Sequence, residues 1–289
     1  RQQAIASYDQ MRVSPLTPPI SILVPAHNEE GSIVESVRSL LTLDYPEFEV
    51  IVVSDGSNDS TLDRLIEHFQ LSLSDYSYIP EIETMPVRGV YLSRVDRRLM
   101  VVDKEAAGSK ADAINCGINL SSKIYVCVVD ADALLESDSL LRIMAPVFND
   151  VERVVAAGGV VRVINGSDVE KGVVGQVGLP WGLLEMIQVE EYLRAFLIGR
   201  EGWNAYDMLL IISGAFGVFR LDICQKIGGF RRGSPGEDFD LVVRIHRYMR
   251  EKKIDYRISF VADPVCWTEV PSKWKSLRNQ RARWNKCLL

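Results

Sequence analysis

The sequence predicts an α/β protein built on a mostly parallel central sheet with helices on both faces, and three observations carry that prediction. Short, strongly apolar segments of strand length recur at residues 20–25, 49–53, 87–92 and 124–129, which suits strands buried on both faces. Amphipathic helical patterns alternate with them, the order that produces a doubly wound sheet with right-handed crossovers. Polar residues cluster where these strands end, at 25–29, 54–59 and 130–132. In open α/β sheets that carboxyl edge is where ligands collect.

The elements follow in order. Residues 1–19 are Pro-rich and read as an irregular lead-in. After the strand at 20–25, Ile33, Val37, Leu40 and Leu41 fall at helical spacing. The strand at 49–53 ends in the turn Ser54-Asp55-Gly56-Ser57, and Leu62, Leu65, Ile66 and Phe69 mark one face of the next helix. A polar loop is expected over 71–86, then the third strand, a helix from near Gly108, and a fourth strand running into Asp130. The second half is less regular, with strands expected at 154–164, 211–220 and 254–261 and helices at 183–198, 237–252 and 271–289. Residues 20–289 therefore read as one domain, with a first half to about residue 150 and a second, smaller half over 151–289.

Composition narrows the function. The chain has 289 residues, 47% hydrophobic and 25% charged, as an ordinary globular protein does. A net charge of −6 argues against a nucleic-acid platform. The five cysteines, Cys116, Cys127, Cys224, Cys266 and Cys287, form no C-x-x-C pair, so neither a zinc knuckle nor a disulfide framework is indicated. His27, His68 and His246 lack metal-ligand spacing and read as structural or incidental. No apolar run reaches the ~18 residues of a membrane span. The sequence opens on Arg1 and stops inside a helical pattern, so both ends look cut and flanking membrane segments are expected outside it.

The strongest local signal is Val128-Val129-Asp130-Ala131-Asp132. Residues i and i+2 of a strand share a face, so two carboxylates leave the strand end together, an arrangement suited to Mg²⁺ or Mn²⁺ carrying phosphate oxygens. A solvated turn capping the next helix is the plainer alternative. Gly56 after Asp55 permits positive φ and close approach of a ligand to the backbone, or a simple Asp-Gly turn. Gly108-Ser109-Lys110 opens a helix, where backbone N–H groups and the lysine favour an anion; a surface lysine in a first turn is the alternative.

Gly236-Glu237-Asp238-Phe239-Asp240 also begins a helix. Its acids either complement the helix dipole or supply a general base. Gln280-Arg281-Ala282-Arg283-Trp284 lies in a basic stretch with no acid after Glu269. That pattern fits a solvated face, a guanidinium on a diphosphate with an indole under a sugar ring, or a helix at a membrane surface. Phosphate-binding G-x-G-x-x-G and G-x-x-x-x-G-K-[ST] motifs are absent.

Taken in order, V-P-A-H-N-E-E, V-S-D-G-S-N-D-S-T, G-S-K-A-D-A-I-N-C-G-I, V-V-D-A-D-A, I-S-G-A-F-G, G-E-D-F-D and Q-R-A-R-W resemble the family 2 glycosyltransferases of GT-A fold. The closer resemblance is to processive membrane synthases of the cellulose, hyaluronan, chitin and poly-N-acetylglucosamine kind, and it covers nearly the whole chain. It implies that Pro25, Asn28 and Glu29 line the nucleotide pocket, that Asp55 bonds the base and that Lys110 meets the diphosphate. It makes Asp130 and Asp132 the metal and donor pair, Asp238 the catalytic base beside Glu237, and Gln280, Arg283 and Trp284 the acceptor and diphosphate signature. Ser213-Gly214 stands where cellulose synthases carry a Cys-Gly-Ser acceptor motif, so cellulose is not the expected product.

The implied reaction is metal-assisted single displacement from a UDP-sugar, inverting at the anomeric carbon to give a β-linkage. The implied partners are a UDP-sugar donor, a glycan acceptor and accessory synthase subunits, and a membrane reached through flanking helices, with the chain at its cytoplasmic face and no role for nucleic acid. A non-processive transferase acting on a lipid or protein, a nucleotidyltransferase and a catalytically silent nucleotide-sugar module are the alternatives.

Overall fold

A computed structural model describes residues 8–286 apart from 171 and 235. In chain order the first half comprises α1 (Tyr8–Val13), β1 (Ile20–Ala26), α2 (Ile33–Leu41), β2 (Phe48–Asp55), α3 (Thr61–Phe69), β3 (Leu71–Ser74), β4 (Val87–Ser93), β5 (Leu99–Lys104), α4 (Lys110–Leu120) and β6 (Tyr125–Val129). The second half comprises β7 (Leu134–Leu135), α5 (Ser139–Asn149), β8 (Val154–Val163), a small hairpin of β9 (Val169–Glu170) and β10 (Val173–Val174), α6 (Leu183–Tyr192) and α7 (Gly199–Ala205). It ends with β11 (Phe216–Arg220), α8 (Leu221–Lys226), α9 (Glu237–Glu251), β12 (Arg257–Thr268) and α10 (Trp274–Asn285).

The central sheet has the order β3-β4-β5-β2-β1-β6-β11-β8-β12-β7. Its strands run in one sense except β4, β11 and β7, which oppose their neighbours. The centre, β5-β2-β1-β6, is wholly parallel. Both faces are covered, as the apolar strands require. Along β2, Val50 and Val52 pack on the side of α2, α3 and α5, while Ile51 and Val53 pack on the side of α4, α8 and α9. That is the period of two expected of a strand.

Several elements differ from the sequence pattern for identifiable reasons. The expected loop over 71–86 contains β3, which forms an antiparallel hairpin with β4. The sequence pattern does not mark β5, because its four apolar residues Leu99 to Val102 sit between Arg97-Arg98 and Asp103-Lys104. The lead-in carries α1, which buries Met11. The expected helix at 183–198 continues to Ala205 through a π-helical turn, Leu193–Ile198. The strand expected at 211–220 forms only over Phe216–Arg220, leaving 211–215 as irregular backbone. The last strand runs over Arg257–Thr268 rather than 254–261. Of the helix expected at 271–289, residues 274–285 are helical and 287–289, including Cys287, lie outside the described residues. No helix among the described residues is long and apolar enough to cross a membrane.

Candidate functional site

The topology gathers the polar strand ends. Parallel strands β1, β2, β5 and β6 all terminate at one edge, delivering Asn28 and Glu29, Asp55, Lys104, and Asp130 and Asp132 there. Antiparallel β11 starts at that same edge, since Phe216 pairs with Val129. The irregular residues before it therefore bring Ser213 and Gly214 beside Asp130. Helix α9 opens toward this cluster with Glu237 and Asp238.

Lys110 ties the cluster together. Its ammonium pairs with the Asp130 carboxylate and donates to the Gly214 carbonyl at 2.9 Å. The Gly214 backbone N–H in turn donates to Asp238 Oδ2 at 3.2 Å. Burial alone would lower the Lys110 pKa, but Asp130, Glu237 and Asp238 together outweigh it and hold the ammonium above its ordinary value. The sequence-predicted Lys110, Asp130, Gly214 and Asp238 thus form one connected chain. A Cβ added at Gly214 would stand 3.4 Å from the Lys110 ammonium and 3.6 Å from Asp238, ordinary contact distances, so the junction uses the backbone of Gly214 rather than its lack of a side chain. Ser213 is half-buried, and its hydroxyl accepts from Ala215 N–H at 3.4 Å.

The carboxyls at this edge repel one another. Burial raises Glu29, Asp132 and Glu237 above the ordinary carboxylate range. Asp130 adds to all three shifts, and Asp132 adds to that of Glu29. Clustered carboxyls held back from ionising are a common mark of a ligand site.

On the nucleotide side, Pro25 sits near the end of β1 opposite Val53. Asn28 adopts positive φ, +58°, and its side-chain oxygen accepts from Asn58 N–H at 2.8 Å, pinning the two loops together. Glu29 N–H donates to Thr61 at 2.8 Å. His27 lies 2.8 Å from the Asp55 carbonyl and His246 bonds Tyr256 and the Leu209 carbonyl, so both serve the fold.

Asp55 is buried, and its Oδ1 accepts from the Lys104 ammonium and from Ala107 N–H at 3.1 Å. Lys104 and Asp112 are fully buried and paired at 2.7 Å, and Arg232 meets Asp112 from the opposite side at 2.6 Å. This four-charge network, absent from the sequence prediction, runs from the Asp55 turn to the loop that precedes α9. Gly56 is held at φ +62° with Ala106 so close that an added Cβ would lie 2.5 Å from its side chain.

Helix α10 packs against α6 and the π-helical turn. Trp284 is half-buried against Phe196 at 6.2 Å and Tyr192 at 6.4 Å between ring centres. Arg281 stacks over the Trp284 ring at 4.2 Å and pairs with Glu191 at 2.5 Å. Gln280 is half-buried with its side-chain oxygen unpartnered, and Arg283 is exposed. Arg200, near-completely buried in α7, is a further charge that the sequence pattern does not single out.

Among the described residues no group of three or more His, Cys, Asp or Glu side chains gathers to hold a metal. The chemistry of the Asp130/Asp132 pair still fits a hard cation that arrives with a diphosphate and completes its shell with phosphate oxygens and water. Such a cation would share Asp130 with Lys110.

Known proteins are similar to this chain over most of its length. A family model described as "Glycosyltransferase like family 2" matches residues 18–286. The chain is 28% identical over 269 residues to a probable glycosyltransferase, YdaM, of Bacillus subtilis, covering 92% of this chain and 54% of that protein. It is 27% identical over 267 residues to a poly-β-1,6-N-acetyl-D-glucosamine synthase of Staphylococcus epidermidis, covering 92% and 53%. The chain thus spans about half the length of the curated relatives it matches. Among solved structures, the mannosyltransferase PcManGT of Pyrobaculum calidifontis, in complex with GDP-Man and Mn²⁺, superposes with a TM-score of 0.63 at 21% identity, covering 94% of this chain and 62% of that one. That likeness shows a shared GT-A fold.

Proposed function

The chain belongs to the family 2 glycosyltransferases, and on that footing we propose that it is the catalytic domain of an inverting polysaccharide synthase that uses a UDP-sugar. The observation that carries this reading is the connected chain from Asp130 through Lys110 and Gly214 to Asp238. It joins a donor-side carboxylate and a candidate base through one short polar path at the same strand edge.

In this scheme the pocket formed by Pro25, Asn28, Glu29 and Asp55 receives the nucleotide. Lys110 is placed to shift from Asp130 toward the diphosphate, adding positive charge where negative charge develops. When bound, Mg²⁺ or Mn²⁺ at Asp130 and Asp132 would supply further charge neutralisation on the leaving group. Asp238 accepts the proton of the acceptor hydroxyl as that oxygen attacks the anomeric carbon from the face opposite the diphosphate. Configuration inverts, and an α-linked donor gives a β-linkage. Glu237, raised by burial, stands beside Asp238 at the start of α9. Trp284, set in an aromatic wall, offers a face for the acceptor ring, and Gln280 and Arg283 complete the signature associated with processive relatives.

The same reading places the synthase at the cytoplasmic face of a membrane, with accessory subunits as further partners. Leu179, Trp181, Leu183, Ile187, Ile198 and Trp203 stand exposed along the stretch that leads into and through α6 and α7, a display that suits an apolar partner. The relatives named as polymer synthases are about twice as long as the matched region, which leaves room for membrane helices.

The test is a donor panel with the full-length protein and Mn²⁺, including UDP-N-acetylglucosamine, other UDP-sugars and GDP-mannose, with the product sized and its linkage determined. Consumption of a UDP-sugar into β-linked polymer is expected. Use of GDP-mannose alone, α-linked product, or addition of a single sugar would each overturn the corresponding part of the proposal.

A further inference from the structure

Asp55 and Lys104 are register partners at the ends of the adjacent strands β2 and β5. The Lys104 ammonium pairs with the Asp55 carboxylate, with Asp112 Oδ1 at 2.7 Å and with the Glu105 carbonyl at 2.7 Å. Among the described residues, the hydrogen bonds to the Asp55 carboxylate come from Lys104 and Ala107 N–H, and both fall on Oδ1. Oδ2 is thereby left for a ligand at the carboxyl edge of the sheet, and Lys104 sets the direction in which Asp55 presents it.

Asp112, fully buried in the first turn of α4, is the junction of the network. Met85 N–H donates to both of its oxygens at 3.3 Å. Arg232, which keeps 37% of its side chain exposed, reaches in from the surface and places Nε 2.6 Å from Asp112 Oδ2. The same guanidinium donates to the Glu83 carbonyl at 2.5 Å. Two carboxylates and two cations make the network neutral. Replacing such a network whole by apolar side chains is often neutral or stabilising, so stability does not account for its place at the donor edge.

The loop that carries Arg232 has other anchors. The Asn115 side chain exchanges two hydrogen bonds with the Phe230 backbone, at 2.7 and 2.8 Å, and Arg244 holds the Ile227 and Gly229 carbonyls. The contact of Arg232 with Asp112 therefore serves the nucleotide side rather than the placement of α9. Without Arg232 the network carries a net negative charge, and Asp112 competes harder with Asp55 for the one ammonium.

We propose that Arg232 is a positioning residue of the donor site, acting through Asp112 and Lys104 to keep the Asp55 carboxylate oriented for the nucleobase. This rests on the reading of Asp55 as the group that bonds the base. A carboxylate already oriented spares the donor an ordering cost on binding. Loss of Arg232 should therefore weaken donor binding and leave turnover alone.

The experiment measures donor kinetics and diphosphate affinity, the latter by calorimetry, with Mn²⁺ in the full-length protein and its R232M, R232Q, R232K, D55N and D55N/R232M variants. The donor is UDP-N-acetylglucosamine with UDP as the affinity probe, or whichever sugar nucleotide of the panel the unaltered enzyme consumes with its own nucleoside diphosphate. R232M and R232Q are expected to raise the donor KM and weaken diphosphate binding about fourfold or more, with kcat within about twofold, the pattern of lost uniform binding. R232K, which retains a cation for Asp112, is expected to recover most of that loss. In the D55N background R232M should weaken binding by less than about twofold further, because a residue that acts through Asp55 has nothing left to act on. Donor binding by R232M within about twofold of the parent, a loss confined to kcat, an R232K as weak as R232M, or a full additional loss in D55N/R232M would each overturn the proposal. If neither charge-free variant folds while R232K does, Arg232 is structural and the proposal is lost. D55N separates the two readings: unchanged binding in D55N removes Asp55 from the nucleotide pocket, whereas a weakened D55N with an unimpaired R232M removes only the role of Arg232.

Discussion

The backbone N–H of Gly214 donates to the Asp238 carboxylate at 3.2 Å, which fixes one oxygen of the candidate base to the loop ahead of β11. The other oxygen accepts from the Phe239 N–H at 2.8 Å. A carboxylate held at both oxygens by backbone donors is oriented before any acceptor arrives. It owes that orientation to β11 running antiparallel, because only then does residue 214 reach the carboxyl edge of the parallel strands.

Asp238→Asn keeps the size of the side chain and one of the two backbone contacts, since its amide has a single acceptor oxygen, and removes the group that accepts a proton. Transfer is expected to fall by about a hundredfold or more, the usual worth of a general base. Donor affinity, measured by calorimetry with the unhydrolysed sugar nucleotide, should stay within about twofold, since the base acts in the transition state. Near-normal turnover would sink the assignment.

Asp132→Ala tests the cation. With two carboxylates and no third ligand gathered nearby among the described residues, losing one should remove most of the gain in donor affinity that Mn²⁺ confers. The measurement is donor affinity with Mn²⁺ and with EDTA, in the parent and the variant. Equal affinities of the variant and parent under both conditions would remove the metal role from this pair.

The sequence patterns locate the residues at strand ends, because β1, β2 and β6 are buried on both faces and announce themselves as apolar runs. They also locate the start of α9, where Gly236 precedes three acids. They do not reveal Lys104. A lysine after Asp103 looks solvated, yet β5 lies next to β2 and places it against Asp55, forty-nine residues earlier, and against Asp112. Arg200, between Gly199 and Glu201, looks equally ordinary. Its burial comes from a π-helical turn and from Phe196, whose packing against Trp284 depends on a helix more than eighty residues away. Local pattern carries hydrophobic period and motif, while the partner of a buried charge is set by tertiary packing.

The pH dependence of stability follows from the carboxyls that burial holds back. Glu237 is raised in the folded chain, so on going up in pH the unfolded chain ionises this group first. Its contribution to stability is fully present below the ordinary glutamate value of 4.5 and is lost as pH rises through the raised folded value. Glu237→Gln removes that loss. The variant is expected to match the parent's pH trend below the ordinary value and to gain stability relative to it toward neutrality, as read from urea unfolding without divalent cation. A variant that loses ground to the parent as pH rises would rule out burial of Glu237 as the cause.

Lys104 gives the sharpest stability prediction. Its ammonium is fully buried between Asp55 and Asp112, and it also donates to the Glu105 carbonyl at 2.7 Å. Lys104→Met preserves length and much of the volume but leaves Asp55 without a charge partner in the interior and Asp112 with Arg232 alone. Breaking a buried pair from one side typically costs about 3–5 kcal/mol, far more than the pair itself contributes. Asp112 keeps Arg232 at 2.6 Å, so Asp55 is the carboxylate left worse off. Adding Asp55→Asn to Lys104→Met should therefore recover part of the lost stability by removing the unpaired charge. Adding Asp112→Asn should recover less, since it strands Arg232 in turn. Urea unfolding of the parent, the single variant and both double variants checks this ordering, and a single variant within about 1 kcal/mol of the parent would show that the network is not the buried charge pair that the distances describe.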